Sequence, residues 1–203
     1  MERNKAMNAL IHDCEIVKAI PGQYSEKEAG VEYCDGWNDF SNMGISVIGV
    51  YDLVTNKARV FLKDNFDQFQ ALVNQRELII GFNSSSFDDA LCASNLIFVH
   101  TTYDLLVEVR IATGQPPNYV KGRTRGGYSL EALARTNLGY GKSGSGAAAP
   151  LLWQGGNIGE VIDYCLLDVQ ITHELFIKRN SLKDPNDGSI ISLRDPQLFA
   201  QKG

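Results

Sequence analysis

The sequence predicts a mixed α/β fold in one domain, and three observations carry that prediction. The opening third of the chain sets short β-branched runs between turn signals. From Asp64 the apolar period lengthens to that of a helix. A further short apolar run, Glu77 to Phe82, is then entered directly from that helix. Strand, hairpin, helix and strand in this order are the signature of a mixed sheet with helices packed on it. A length of 203 residues with 44% hydrophobic and 21% charged residues provides for one sizeable core, and one domain is the default at that size.

Each element follows from local chemistry. Leu10 to Val17 has the length of a buried strand and is stopped by Pro21-Gly22. Residues 21–43 form a polar, turn-rich insertion containing Tyr33 and Trp37. Ile45 to Tyr51 and Ala58 to Leu62, separated by Asp52 and Thr55-Asn56-Lys57, read as a hairpin, so the sheet begins antiparallel. Phe66, Phe69, Leu72 and Val73 share a helical face behind an Asp64 or Asn65 cap. Residues 86–95 and Tyr103 to Ala112 are expected to be helical. Ser129 caps a helix carrying Leu130, Leu133, Ala134 and Leu138, which Gly139 ends. Gly139 to Gly156, rich in Gly, Ser and Ala and containing Pro150, is expected to be a flexible connection. A last helix runs from about Gly159 to Arg179, with Glu160 and Asp163 in its first turn and Lys178 and Arg179 in its last, the order its dipole favours. Beyond Asp184-Pro185 the tail is polar apart from Ile190, Ile191 and Leu193, and either adds an edge strand or stays loose. There is no internal repeat.

Composition excludes some functions. Lys and Arg number 19 against 24 Asp and Glu, a formal net charge of −5, which argues against a generally basic nucleic-acid binder and confines any such contact to a local patch. No apolar run approaches a membrane span. The opening residues, with Glu2, Arg3, Asn4 and Lys5, lack the pattern of a signal peptide, so the expected location is cytoplasmic, with no membrane partner. Cys14, Cys34, Cys92 and Cys165 form no C-x-x-C pair, which fits reduced structural thiols.

Three separated clusters place acids where a fold ordinarily prefers apolar residues. In Asp13-Cys14-Glu15 the two carboxylates are two apart on a strand and project from one face. Bare, they would repel and resist desolvation. A divalent cation relieves both costs, and oxygen ligands suit Mg²⁺ or Mn²⁺; an edge strand whose acids face water is the alternative. Asn83-Ser84-Ser85-Ser86-Phe87-Asp88 puts Asp88 at a helix start just past a strand end, where α/β folds place functional groups, although Asp88 or Ser86 could equally be a simple cap. Tyr164 and Asp168, four apart, share a face of the terminal helix, and such pairs are commonly just surface neighbours.

In this order, D-x-E in the first strand, N-x-x-x-F-D after the fourth and Y-x-x-x-D in a late helix, the sequence resembles the three exonuclease motifs of the DEDD superfamily. The match is to its tyrosine subgroup, which includes family-B DNA polymerase proofreading domains, ribonuclease D and stand-alone bacterial or viral 3′–5′ exonucleases. Tyr128-Ser129-Leu130 with Leu133-Ala134 and Leu138-Gly139 looks like the S-L-x-x-L-A and L-G helix upstream of the third motif. The sister subgroup's histidine position is Asp163 here, which favours the tyrosine subgroup. Cys14 stands where the family more often has an aliphatic residue.

The resemblance implies a ribonuclease-H-like exonuclease domain over residues 1–183, with the 21–43 insertion and a flexible 139–157 loop, followed by a C-terminal tail at 184–203. Its sheet would have five strands, the first three antiparallel and the rest parallel, with helices on both faces. It further implies a two-metal 3′–5′ exonuclease acting on single-stranded 3′ ends, with DNA rather than RNA the expected substrate, and releasing nucleoside monophosphates. Two divalent cations, Mg²⁺ or Mn²⁺, would be held by Asp13, Glu15, Asp88 and Asp168, with Asp13 bridging them, Glu15 and Asp168 on the nucleophile side and Asp88 on the other. Tyr164 would orient the attacking water, and a replication, repair or helicase partner would be expected. A catalytically silent nucleic-acid-binding or scaffold module on the same fold is the alternative.

Asn83 and Phe87 are candidates for the terminal-nucleotide pocket, Asn83 by hydrogen bonding and Phe87 by stacking or, equally, as core. Lys121, Arg123 and Arg125, with Lys142 in the glycine-rich segment, form either a rim for substrate phosphates or a solvated charge cluster. Gly141-Lys142-Ser143 is not a phosphate loop, because Thr136 occupies the place of its first glycine and no strand leads into it. His12, His100 and His173 lack ligand spacing, and His12 points to the sheet face opposite Asp13. Tyr33 and Trp37 could stack on bases or simply stabilise the insertion.

Overall fold

Apolar residues on both faces of the first strand put it at the centre of the sheet. In a computed structural model, which describes residues 7–22, 27–141 and 146–200, β1 (Ala9–Ile16) pairs antiparallel with β2 (Ile45–Asp52), and β2 with β3 (Lys57–Phe61). On its other side β1 pairs parallel with β4 (Leu78–Gly81), and β4 with β5 (Tyr103–Asp104). The order β3-β2-β1-β4-β5 is the five-stranded mixed sheet expected.

Period-two alternation divides the core. Leu10, Cys14 and Ile16 join Ile48, Val50 and Ile79 beneath a one-turn α1 (Phe40–Met43), α2 (Phe66–Val73) and α3 (Asp88–Ser94). Ala9 and Ile11 join Leu78 and Ile80 beneath α4 (Leu105–Ala112), α5 (Leu130–Leu138) and α7 (Ile158–Ile177). A third cluster sets Val47 against Ala149 of α6 (Ala149–Gln154) and Val161, Tyr164 and Cys165 of α7. Each fully buried Leu, Ile or Phe contributes about 1.5–3 kcal/mol of transfer free energy. The helices thus cover both faces, and the face shared by β1, β2 and α7 receives Asp13 and Glu15.

Asp52, at the end of β2, is fully buried and charged. Arg76 donates to both its oxygens at 2.9 Å, Thr55 at 2.7 Å and the Val54 N–H at 3.2 Å. Burial alone would raise its pKa, but these donors hold it down at about 2. The pair latches the β2–β3 turn to the segment leading into β4.

The structure departs from the sequence-based expectations at four places. Tyr103–Asp104 is the short fifth strand, and the helix expected from Tyr103 starts at Leu105, with the Asp104 carboxylate accepting from the Leu106 and Val107 N–H groups. Within the expected 139–157 loop, Ala149–Gln154 is helical, with Pro150 in the first turn, where its missing N–H costs nothing. One turn of helix lies inside the 21–43 insertion. The tail forms a small hairpin apart from the main sheet, β6 (Leu182–Lys183) with β7 (Ile190–Ile191), and buries Ile191 and Leu193 in the main core. Lys142, the Gly141-Lys142-Ser143 motif beyond Gly141, and the opening residues Glu2 to Lys5 lie outside the described residues. All four cysteines are buried and reduced. Among the described residues no helix is long and apolar enough to cross a membrane.

Candidate functional site

The site begins where the β1–β4 ladder stops. β4 accompanies β1 only as far as Ile11 opposite Ile80, whereas β1 continues through Asp13 and Glu15 opposite Gly49 and Val47 of β2. The Cys14 N–H therefore has no strand partner on that side, and it donates to Asp88 Oδ1 at 2.9 Å. This bond ties the first residue of α3 to the middle of D-x-E.

The turn delivering Asp88 is shaped by particular residues. A Cβ on Gly81 would collide with Ser84, so a glycine is required for the chain to fold back over the strand end. Asn83 follows in the left-handed region at φ 63°, which asparagine tolerates better than most residues. Asp104 holds the loop by accepting from the Asn83 N–H at 2.9 Å and from the Ser85 N–H at 3.1 Å and hydroxyl at 2.7 Å. The serine run thus serves a carboxylate that the sequence reading did not single out.

The electrostatics show how closely the acids converge. Burial pushes the Cys165 thiol well up, and the negative charges of Asp13, Glu15 and Asp168 push it further. Cys14 is raised by its contact with Cys92 (Sγ to Sγ 3.7 Å) and by burial, then by Asp88 and Asp13. Burial lifts the Asp88 carboxyl to about 7, opposed by the Cys14 N–H and aided by Asp89. Asp13, Glu15 and Cys165 each offer a ligand atom, and these lie within 4.8 Å of one another, so the cluster could hold a metal ion. Cys165 donates to the Asp13 carbonyl at 3.5 Å and to Oδ2 at 3.6 Å. Two of the three groups are carboxylates, and oxygen donors suit a hard divalent cation.

Three clefts open on this point. One of about 470 Å³ is lined by Asp13, Glu15, Phe87, Tyr164 and Asp168, and by Pro21 and Pro150. A second, of about 620 Å³, is lined by Asp13, Asn83 and Asp168 together with Arg110, Tyr119 and Arg125. A third, of about 350 Å³, contains Asp13, Asn83, Phe87 and Asp88. Asp13, Glu15, Asp88, Tyr164, Asp168, Asn83 and Phe87 thus line clefts that share Asp13, and among the described residues the group within metal-ligand reach of one another is Asp13, Glu15 and Cys165. Phe87 serves two ends, packing on the core beneath α3 and edge-on to Phe40 at 5.5 Å while lining two clefts. Arg125 reaches the second cleft while bonded to Tyr128 and, at 3.0 Å, to Asp184. Lys121 and Arg123 are exposed in the same segment and line none of the three.

Some participants escaped the sequence reading. Cys165 is expected from the sequence to be a structural thiol, and its contact with Asp13 places it at the site. His12 does lie on the opposite face, bonded to Thr101 at 3.1 Å. Tyr33 stays within the insertion, accepting from the Glu28 N–H, whereas Trp37 lines all three clefts.

Fold and site together define an α/β protein, consistent with a ribonuclease-H-like domain, that carries an acidic cluster able to take a metal ion. No protein-family model matches the sequence, and no curated protein matches it. Among solved structures, the family B DNA polymerase from the hyperthermophilic archaeon Pyrobaculum calidifontis is similar in fold, with a TM-score of 0.53 and 14% identity. The likeness covers 84% of this chain and 24% of the polymerase chain.

Proposed function

We propose that this protein is a metal-dependent 3′–5′ exonuclease that hydrolyses phosphodiester bonds at the 3′ ends of single-stranded nucleic acid, with DNA the expected substrate, and releases nucleoside monophosphates. One observation carries the proposal: carboxylates from β1, the start of α3 and the middle of α7 border clefts that meet at Asp13. Such a concentration of buried acid is costly without cations, and it suits chemistry that must neutralise phosphate.

In this reading Asp13, Glu15 and Asp168 would hold one divalent cation, and Asp13 with Asp88 would hold a second. Mg²⁺ or Mn²⁺, when bound, supplies charge neutralisation at the reacting phosphate and at the departing 3′-oxygen. The Tyr164 hydroxyl orients the attacking water. Asn83 hydrogen-bonds the terminal nucleotide, Phe87 closes its pocket, and Arg125 meets a phosphate across the cleft. Lys121, Arg123 and Lys142 extend a rim for the rest of the strand. A replication, repair or helicase protein would deliver the substrate in the cytoplasm.

The test is incubation of the purified chain with a 5′-labelled single strand and Mg²⁺ or Mn²⁺. The expected result is a ladder shortening from the 3′ end in single-nucleotide steps. Absence of a ladder with either metal, together with no calorimetric cation binding, would overturn the proposal in favour of the silent binding module.

A further inference from the structure

Among the described residues, Asp13 and Trp37 alone line all three clefts. Trp37 comes from the 21–43 insertion and is 69% exposed, a costly state for the largest apolar side chain unless something covers it. It is nevertheless held in place. Its ring meets Phe87 edge-on at 6.2 Å and 67°, and the backbone around it is pinned to the body. Cys34 N–H donates to Ala19 O at 3.0 Å, Asp35 N–H to Asp39 Oδ2 at 2.8 Å, and Gln154 of α6 exchanges hydrogen bonds with Glu32 at 2.7 and 3.0 Å.

We infer that Trp37 is a stacking platform for an unpaired nucleobase next to the reacting phosphate, and that the insertion exists to present it. The inference rests on the nuclease reading of the cleft. A flat aromatic face held beside a cluster of carboxylates has little to offer an acidic or simple aliphatic ligand, whereas every nucleobase has a matching π-face. Besides Trp37 the second cleft is lined by Tyr119, also 69% exposed, and by Arg110 and Arg125, so it offers both aromatic and cationic groups, the two kinds of contact a single strand uses. A base within a duplex is already stacked on its neighbours and unavailable to a fixed ring. Trp37 thereby selects frayed or single-stranded ends, and because the backbone at Glu32, Cys34 and Asp35 is already hydrogen-bonded, little conformational freedom is lost there on binding.

The chain has two tryptophans, so Trp153→Phe leaves Trp37 as the sole indole reporter. In the full-length W153F protein with EDTA, oligothymidylate should quench its emission, a blunt duplex of the same strand should not, and a 3′-terminal abasic strand should bind about 10-fold more weakly. In the otherwise native chain, Trp37→Ala should raise KM for single strands about 10-fold with the unfolding midpoint retained, and Trp37→Phe should recover most of the loss. Equal quenching by duplex and single strand, or an unchanged KM in W37A, overturns the inference while the nuclease reading stands. Quenching that favours single strands in a protein that cuts none supports stacking and sinks the nuclease reading instead. An indole that responds to no strand marks Trp37 as a protein-contact residue and overturns the inference.

Discussion

Gly49→Ala tests whether the close approach of α7 to the sheet is what holds the site together. Gly49 stands opposite Asp13, and a Cβ placed there would lie 2.8 Å from Cys165 Sγ and 3.3 Å from Val169 Cγ2. Since non-bonded contacts settle near 3.5–4.0 Å, α7 must withdraw by about 0.8 Å or Cys165 must leave its rotamer. Overpacking of this kind costs about 1–3 kcal/mol, and for a chain of this size each kcal/mol lowers Tm by about 2–4 °C. Withdrawal carries Asp168, one turn beyond Cys165, away from Asp13, so calorimetric Mn²⁺ affinity should fall along with Tm. Removing the obstructing sulfur should rescue both: Gly49→Ala with Cys165→Ala should be about 1 kcal/mol or more stabler than the sum of the single effects. If G49A melts and binds Mn²⁺ like the wild type, or if the double variant shows no coupling, contact between Gly49 and Cys165 does not position the helix.

Other perturbations follow from the same structure. Asp52 sits near pKa 2 against an ordinary 3.8, so its contribution of about 2.5 kcal/mol is full above pH 5 and is lost as the pH falls through about 2. The destabilisation caused by Asp52→Asn, followed by urea denaturation, should therefore be largest near neutrality and shrink by about 1 kcal/mol at pH 3; a pH-independent difference refutes the assignment. Asp13→Ala should abolish strand cleavage and weaken Mn²⁺ binding at least tenfold while circular dichroism stays native, because a repelling carboxylate has been removed; an unfolded variant would give Asp13 a structural role. Tyr164→Phe should slow single-turnover cleavage less than any of the carboxylate substitutions, and an equal loss would contradict a role limited to orienting water.

Residues whose signal is local were legible in the sequence. Period-two and period-3.6 patterns locate β1, β2, α2 and α7, and D-x-E on a strand already places Asp13 and Glu15 on one face. What depends on tertiary pairing was hidden. Tyr103–Asp104 becomes a strand only because β4 lies beside it, and two residues cannot display a period. Ala149–Gln154 was obscured because Pro150 and the surrounding Gly, Ser and Ala resemble a linker, whereas a proline in the first turn is compatible with a helix. Asp104 and Cys165 support the site through bonds to residues 21 and 152 positions away, and no spacing rule reaches that far. Trp37 was visible as a residue type but not as a position, since only the folded insertion brings it beside Asp13.

Four of the 24 acidic residues, Asp13, Glu15, Asp88 and Asp168, border the connected clefts, and two divalent cations there would bring the formal −5 to −1. A protein so nearly neutral gains little from the counterion release that drives basic proteins onto nucleic acid. On the nuclease reading, the cations attract the one phosphate they act on, and Arg110 and Arg125 add only a few contacts along the second cleft. Selection of the strand must then fall to contacts that do not depend on charge, and the fixed, exposed face of Trp37 beside Asp13 can supply one at the reacting end. The salt dependence of single-strand binding should accordingly be shallow, with a log–log slope of magnitude about 1–2; a slope several-fold steeper would transfer the recognition to the Lys121–Arg125 rim.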